Sequence, residues 1–307
     1  MLRWRLTLGA LLIAALTGLC WLDAQSARPG AYLGALAALA AGLSAAELLA
    51  LARARGFEPV GPAFFAAAMM PVLFSCVPVA FPPIVYNMTM GAHGWLAIGL
   101  IAGLATAFLA EMWRFDGSGR AMANTAVTAF AVLYIGGCVG ALVQLRLVRA
   151  PLEIHGLRGL QPLLVVLVTV KLSDTCQYIV GRTIGRHKLA PRLSPGKTWE
   201  GAVGGIGLAC LVVSLAITLR HFGWQLLTWQ SVAVVLGITA SIAMAGLIGD
   251  LAESMLKRDA GVKDSSAWLP GFGGVLDLMV SLLLAAPMAY LWFVNGFLDF
   301  SLTGQPL

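Results

Sequence analysis

The stretch GLIGDLAESMLKRDAGVKDSSAWLPGFGGVLD, residues 246–277, combines apolar sequence with charge in a way that decides the class of this protein. Charged residues make up 11% of the chain, yet eight of them lie here: Asp250, Glu253, Lys257, Arg258, Asp259, Lys263, Asp264 and Asp277. Long apolar runs lie on both sides. Because a charge in hydrocarbon costs about 2.5–3.5 kcal/mol on insertion scales, such a gathering indicates a site for a charged ligand at helix ends. Carboxylates beside bases predict metal-assisted phosphate chemistry.

The composition excludes an ordinary soluble domain. Of the 307 residues, 59% are hydrophobic, and the mean hydropathy is +0.86. About nine apolar runs approach the ~20 residues that span a bilayer. They cover residues 5–22, 31–52, 62–85, 94–112, 122–145, 160–181, 200–219, 230–250 and 273–295. The sequence therefore predicts an all-α, polytopic membrane bundle, with a kink or break at Pro82 and Pro83.

The basic residues predict how the chain crosses the membrane. Every second loop between the runs is basic, which predicts a cytoplasmic N-terminus, cytoplasmic motifs and insertion in the inner (plasma) membrane. The net charge of +6 thus indicates topology rather than nucleic-acid binding. One loop disagrees, because Arg146, Arg149 and Arg158 fall on the predicted outer side. The N-terminal run resembles a secretory signal, but an uncleaved first helix fits the remaining chain better.

We predict two parts, an N-terminal set of membrane helices over residues 1–150 and a catalytic membrane domain over residues 151–307. In the first part Glu47 lies at the end of a segment rich in small residues, and we interpret it as an interfacial or helix-paired acid. The five cysteines lie singly in or beside apolar runs, which is typical of packing residues and predicts neither a disulfide nor a zinc site.

The first polar cluster of the C-terminal half is KLSDT, residues 171–175. Lys171 and Asp174 are three residues apart and share one helix face. They form either an ion pair that only shapes the bundle or the polar wall of an intramembrane cavity.

The second cluster is GRTIGRHKLAPRLSPGKTWEG, residues 181–201. Its prolines exclude one regular helix, and Ser194 or Thr198 is expected to cap a helix that starts near Trp199, where phosphate binding is favoured. A basic topological loop is the alternative. The end of this cluster is similar to a phosphate-binding P-loop, but Pro191 replaces the first glycine of that motif, which excludes it.

The third cluster is the opening stretch. Asp250 is predicted at the end of the eighth run and Asp277 just inside the ninth, joined by a loop that holds Lys257, Arg258 and Lys263. Such a hairpin can bring both carboxylates onto one cation. Gly271, Gly273 and Gly274 allow the backbone to approach a ligand closely. The alternative is a charged loop with two interfacial acids.

These residues closely resemble the CDP-diacylglycerol synthase (phosphatidate cytidylyltransferase) family. Its signature reads roughly S-x-x-K-R-x4-K-D-x5-P-G-H-G-G-x-x-D-R-x-D. The positions in register are Ser254, Lys257, Arg258, Lys263, Asp264, Pro270, Gly271, Gly273, Gly274 and Asp277. The family's upstream blocks also match, at Asp174-Thr175, Gly181-Arg182, Gly185, residues 187–191, Ser194-Pro195, residues 197–201 and Gly249-Asp250-Leu251. The resemblance covers about residues 165–282.

The resemblance implies a nucleotidyltransferase of phospholipid biosynthesis that converts CTP and phosphatidate to CDP-diacylglycerol and pyrophosphate with Mg²⁺, and it implies a homodimer. Carried over by position, the resemblance implies that Asp250 and Asp277 are metal ligands and catalytic residues. It also implies that Lys197 and Lys257 are catalytic residues whose positive charges neutralise phosphate. The implied substrate-binding residues are Asp174, Ser194, Glu200, Arg258, Lys263, Gly273 and Gly274.

Three positions depart from the family pattern, because Phe272, Leu278 and Val280 replace a histidine, an arginine and an aspartate. These apolar substitutions leave two alternatives open. One is a relative that acts on another lipid phosphate or a polyprenol, and the other is a transporter or non-catalytic membrane protein of the same fold.

Overall fold

The computed structural model describes residues 2–81, 93–148, 160–222, 229–266, 268 and 273–295. In this part of the chain, helices and one small hairpin follow in this order: α1 (Leu2–Gln25), α2 (Ala31–Ala54), α3 (Gly61–Ser75), α4 (Val77–Ala80), α5 (Gly94–Trp113), α6 (Ala121–Ala131), a π-helical segment (Val132–Gly137), α7 (Cys138–Leu147), α8 (Gln161–Ile184), β1 (Lys188–Ala190), β2 (Ser194–Thr198), α9 (Trp199–Phe222), α10 (Trp229–Asp259) and α11 (Val275–Val294).

Eight helices within the described residues are long and apolar enough to cross a membrane, counting α6, the π-helical segment and α7 as one. The prediction of an all-α, multi-pass membrane protein is therefore confirmed. The third predicted run, residues 62–85, contains the 15-residue helix α3 and the four-residue helix α4. The kink predicted at Pro82 and Pro83 lies outside the described residues.

Helix α10 is longer than its apolar run predicts. It continues past Asp250 to Asp259, so Asp250 lies within the helix and Lys257 and Arg258 lie in its last turn. The prediction that these two bases lie in a loop is wrong. A helix can continue beyond its apolar run because Lys257 and Arg258 near its carboxyl end interact favourably with the helix dipole. Asp277 is the third residue of α11, as predicted.

The hairpin β1–β2 is the element that the sequence pattern did not predict. Lys188 pairs with Thr198 and Ala190 with Ser194 in antiparallel register. The Leu193 amide donates to the Ala190 carbonyl at 3.2 Å and closes the turn. As predicted, a helix begins at Trp199, and of the two candidate caps it is Thr198 whose hydroxyl accepts the Gly201 amide hydrogen bond, at 3.1 Å.

The apolar core has two clusters, and each takes residues from both sides of residue 150. One joins Cys20 of α1 to Ile238 of α10 and Ala285 of α11, among others. The other joins Phe64 of α3 to Leu283 of α11. The predicted division at residue 150 therefore remains a prediction about where the chemistry lies, and the packing joins the two parts.

A buried ion pair explains one of the bases that disagree with the charge pattern. The side chains of Arg146 and Asp23 are 1% and 0% exposed, and Arg146 Nε lies 2.8 Å from Asp23 Oδ2. The same carboxylate accepts the Gly30 amide at 3.0 Å at the start of α2. Arg146 is thus neutralised inside the protein and does not count as a loop charge in the prediction of membrane orientation. Arg149 and Arg158 lie outside the described residues.

Candidate active site

A cavity of about 490 Å³ lies between the carboxyl-terminal half of α8, the hairpin, the start of α9 and Asp250 of α10. Its lining residues are Asp174, Gln177, Tyr178, Gly181, Arg182, Gly185, Lys188, Ser194, Gly196, Lys197, Thr198, Gly201, Ala202 and Asp250. This volume is in the range of about 300–1,000 Å³ that is typical of small-molecule sites. The cavity joins residues from all three polar clusters of the sequence.

One face of α8 forms the inner wall. Asp174, Gln177, Tyr178, Gly181 and Arg182 recur at three- and four-residue spacing, which aligns them along the helix. The Asp174 carboxylate accepts a hydrogen bond from Ser281 of α11 at 3.0 Å. The predicted polar wall of a cavity is therefore present on this helix.

Helices α8 and α9 pack with their backbones in contact, which brings the hairpin beside this wall. A β-carbon on Gly205 would lie 2.4 Å from the backbone of Gln177. Only glycine allows that approach. The short α8–α9 distance holds the hairpin, which joins these two helices, over the cavity.

Glu200 anchors the hairpin and is not among the lining residues of the cavity. Its carboxylate accepts hydrogen bonds from the Arg186 and His187 amides at 3.1–3.2 Å and also contacts His187 Nδ1. The Trp199 amide donates to the His187 carbonyl at 2.9 Å. Glu200 therefore fixes the position of β1 against the start of α9, a role that its place in the motif did not reveal.

The Lys197 and Asp250 side chains form the polar centre of the cavity. Lys197 Nζ donates to Asp250 Oδ2 at 3.1 Å, and the two side chains are 24% and 25% exposed. Lys188 and Arg182 add two more bases to the lining, and Arg182 is oriented by a 2.8 Å hydrogen bond to Tyr178 Oη. Bases and carboxylates in one cavity are suited to bind phosphates together with a cation.

The bases and acids nearer the end of α10 form a second group, the Lys257 cluster, defined by Glu253, Lys257, Ser265 and Asp277. Lys257 Nζ lies 2.9 Å from Glu253 Oε2 and 2.5 Å from Asp277 Oδ1. Asp277 also accepts hydrogen bonds from the Ser265 amide, the Ser265 hydroxyl and the Gly274 amide. The side chains of Glu253, Lys257 and Asp277 are 4–14% exposed. No residue of the Lys257 cluster lines the cavity.

The residues present fit a magnesium ion at the cavity. Mg²⁺ keeps several waters and takes one or two carboxylates together with substrate phosphates. Asp174 and Asp250 both line the cavity and supply such carboxylates. Among the described residues there is no group of three or more His, Cys, Asp or Glu side chains arranged to hold a metal. That Asp250 and Asp277 share one cation remains a prediction, since the Asp277 carboxylate is held by the Lys257 cluster.

The remaining predicted residues differ in their surroundings. Ser194 lines the cavity, whereas Arg258 and Lys263 are exposed and are not among its lining residues. Gly273 has a φ of 85°, a conformation that favours glycine. Pro270, Gly271 and Phe272 lie outside the described residues.

The structure describes the other two departures from the family pattern. The Leu278 carbonyl accepts a hydrogen bond from Lys171 Nζ at 3.3 Å, and Lys171 lies 3.9 Å from Asp174. Val280 is buried, and its carbonyl lies against Gly249. Val280 is therefore packed where α11 meets α10, and the backbone at Leu278 contacts Lys171 of α8.

Sequence reasoning did not select Glu253 as a site residue and interpreted Glu47 as an interfacial or helix-paired acid. Glu253 was one of eight charges in its stretch, and nothing in its spacing set it apart. Glu47 was signalled only by being an acid within a small-residue helix. In the structure Glu47 is 8% exposed and contacts the segment around Asp277.

Comparison with known proteins identifies the family. A sequence model of the cytidylyltransferase family matches residues 4–295. The chain belongs to the cytidylyltransferase family. Among relatives of this family, a phosphatidate cytidylyltransferase of Haemophilus influenzae is 42% identical over 137 residues, which is 44% of this chain and 46% of that protein. One of Staphylococcus aureus is 41% identical over 138 residues, 45% of this chain and 51% of that protein. The chain thus spans about half the length of the curated relatives it matches.

Proposed function

We propose that this cytidylyltransferase-family protein catalyses the reaction of CTP with phosphatidate to give CDP-diacylglycerol and pyrophosphate. The single observation that carries the proposal is the cavity in which Lys188, Lys197 and Arg182 face the same space as Asp174 and Asp250. Bases there can hold a triphosphate. The names of the relatives, phosphatidate cytidylyltransferase, support this substrate pair.

The chemistry needs positioning and charge neutralisation more than it needs a strong general base. The phosphate monoester of phosphatidate is largely ionised near neutral pH, so its oxygen can attack the α-phosphorus of CTP directly. A new P–O–P bond forms, the bond from the α-phosphorus to the bridging oxygen breaks, and pyrophosphate leaves with the electron pair. Lys197, Lys188 and Arg182 offset the charge of the two anions and of the leaving group.

The metal of this reaction is proposed to be Mg²⁺. Asp250, with Asp174 beside it, would hold the ion through carboxylate oxygens, and Asp277 is the further ligand that the family resemblance implies. When bound, Mg²⁺ neutralises charge on the phosphate oxygens. Lys197 holds the Asp250 carboxylate at 3.1 Å in the structure and orients it toward the cavity.

We further propose that the protein spans the plasma membrane and that the cavity end of the bundle faces the cytoplasm. The carboxyl end of α2, with Arg53 and Arg55, and the bases of the hairpin lie at this end, as the positive-inside rule requires for a cytoplasmic face. CTP and Mg²⁺ are then available from the cytoplasm and the lipid from the bilayer. A homodimer remains a prediction.

Purified protein in detergent tests the substrate assignment with radiolabelled CTP and a panel of lipid phosphates. The panel holds phosphatidate, lysophosphatidate and a polyprenyl phosphate, each with Mg²⁺. We expect lipid-extractable label with phosphatidate and little with the others. Label with the polyprenyl phosphate alone would replace this substrate assignment, and no label with any lipid from folded protein would refute the activity.

A further inference from the structure

Glu47 lies on α2, far in sequence from the catalytic motifs. Its carboxylate makes four hydrogen bonds to the motif segment, defined by Ser265, Ser266 and residues 274–277. It accepts from the hydroxyls of Ser265 at 2.7 Å and Ser266 at 2.9 Å. It also accepts from the amides of Val275 at 3.0 Å and Leu276 at 2.9 Å, the first two residues of α11. Glu47 and each of these partners are more than 200 residues apart in sequence.

These contacts place a negative charge at the amino end of α11. The first amides of a helix have no partner within the helix, and its dipole favours an anion there. Here the carboxylate comes from a different helix. Within the described residues no Lys or Arg lies within ion-pair distance of Glu47, so its buried charge is stabilised by amide and hydroxyl donors.

The backbone of the motif segment is shaped to admit this carboxylate. A β-carbon on Gly274 would lie 2.2 Å from Glu47 Oε2 and 2.1 Å from Ser265 Oγ. Any side chain at position 274 would therefore displace Glu47, Ser265 or both. The glycine serves the approach of Glu47, in addition to any approach of a ligand.

Ser265 connects Glu47 to Asp277. Its hydroxyl oxygen lies 2.7 Å from Glu47 Oε2 and 2.7 Å from Asp277 Oδ2. A hydroxyl has one hydrogen to donate, so the two carboxylates share it, and each is also held by amide donors. The Ser265 amide donates to Asp277 Oδ2 as well, at 3.0 Å. Glu47 therefore fixes Ser265, and Ser265 holds the Asp277 carboxylate together with Lys257 and the Gly274 amide.

We propose that Glu47 is a positioning residue for the cytidylyltransferase reaction, because it fixes Ser265 and the start of α11 and thereby orients Asp277. This inference rests on the proposed function for its effect on turnover. It makes α2 a part of the active-site framework. Of the two interpretations of Glu47, an interfacial or a helix-paired acid, the structure supports the second, since the side chain is buried and contacts the start of α11.

The test compares Glu47→Gln with the native full-length protein in detergent. Glutamine keeps the size of the side chain but loses the charge and one acceptor oxygen. We expect kcat to fall about 10–100-fold, as for the loss of other partners that orient ligand residues, with the KM for CTP changed about twofold or less. Glu58→Gln is the matched control, because Glu58 is an exposed acid that pairs with Arg120 away from the motif segment, and its kcat should stay native.

A second readout does not depend on turnover. Hydrogen–deuterium exchange of peptides covering residues 262–280 should be faster in Glu47→Gln than in the native protein, and unchanged in Glu58→Gln. Ser266→Ala keeps the Ser265 bridge and should cost less activity than Ser265→Ala. This pair keeps the test valid even if Glu47→Gln proves too unstable to purify.

The outcomes separate this inference from the proposed function. A native kcat and native exchange in folded Glu47→Gln would overturn the positioning role. Equal activity losses in Ser265→Ala and Ser266→Ala would do the same for the bridge. If the native protein shows no CTP-dependent turnover, the proposed function fails, whereas the exchange experiment still decides whether Glu47 holds the motif segment.

Discussion

Lys197 of the hairpin and Asp250 of α10 are 53 residues apart in sequence and meet in the cavity, with Nζ 3.1 Å from Oδ2. Each is about three-quarters buried. The pair joins the basic hairpin to the long helix that carries the motif. It also leaves both side chains facing the space where phosphates and a cation would bind, so either partner can exchange the other for a ligand.

Neutralising Lys197 should affect turnover more than stability. We expect Lys197→Met to lower kcat about 10²–10³-fold, the usual cost of losing one preorganised group that stabilises developing charge. The measurement is steady-state kinetics with CTP and phosphatidate. Arg55→Met is the control, because Arg55 pairs with Asp259 at the exposed surface and such pairs contribute about 0–1 kcal/mol. Native kinetics in Lys197→Met would remove Lys197 from the catalytic group.

Lys257 is expected to have a structural role in addition to any role toward phosphate. Its single ammonium contacts both Glu253 and Asp277, and all three side chains are nearly buried. Lys257→Met leaves their charges uncompensated and should lower the free energy of unfolding by about 3–5 kcal/mol. Thermal unfolding in detergent measures this loss, and Glu253→Gln in the same chain should recover part of it. Native stability with weakened CTP binding would mean that Lys257 acts on the nucleotide alone.

The ion pair of Asp23 and Arg146 provides a stability test far from the motifs. Arg146→Met leaves the buried Asp23 carboxylate without its cation, which should cost about 3–5 kcal/mol. The specific activity of the folded fraction should stay native. Adding Asp23→Asn removes the uncompensated charge, so the double variant should be more stable than Arg146→Met. A double variant that is less stable than Arg146→Met would contradict this explanation.

Gly274 should tolerate no side chain. In Gly274→Ala the β-carbon would overlap Ser265 and Glu47, so we expect loss of activity with faster proteolysis of the motif segment. Gly207→Ala in α9 is the control, because a β-carbon there meets nothing within 4 Å. Activity of Gly274→Ala equal to that of Gly207→Ala would show that the close contact of Glu47 with the segment is not needed.

The membrane helices could be predicted from sequence because run length and hydropathy are local properties. The predicted run 31–52 became Ala31–Ala54, and 94–112 became Gly94–Trp113. The extension of α10 to Asp259 was not predicted, because low hydropathy at a helix end cannot be distinguished from that of a loop.

The sequence predicted which residues belong to the candidate site, but it did not predict which of their side chains contact one another. Motif position selected Lys197, Asp250, Lys257 and Asp277. It did not reveal that the first two meet in the cavity while the last two meet in a separate cluster. Those pairings depend on how α8, α10 and α11 pack. Glu47 was missed for the same reason, since its partners lie more than 200 residues away along the chain.

The most direct test of the central claim follows both ends of the CTP molecule in one reaction. Purified protein is given phosphatidate, Mg²⁺ and CTP labelled either at the α- or at the γ-phosphorus, beside the Asp250→Asn and Asp277→Asn variants. We predict that α-label enters the lipid phase, that γ-label leaves as pyrophosphate in equal amount, and that both variants lose both signals. Folded native protein that releases γ-label without lipid label, or transfers α-label equally well in the two variants, would contradict the proposed reaction and its site.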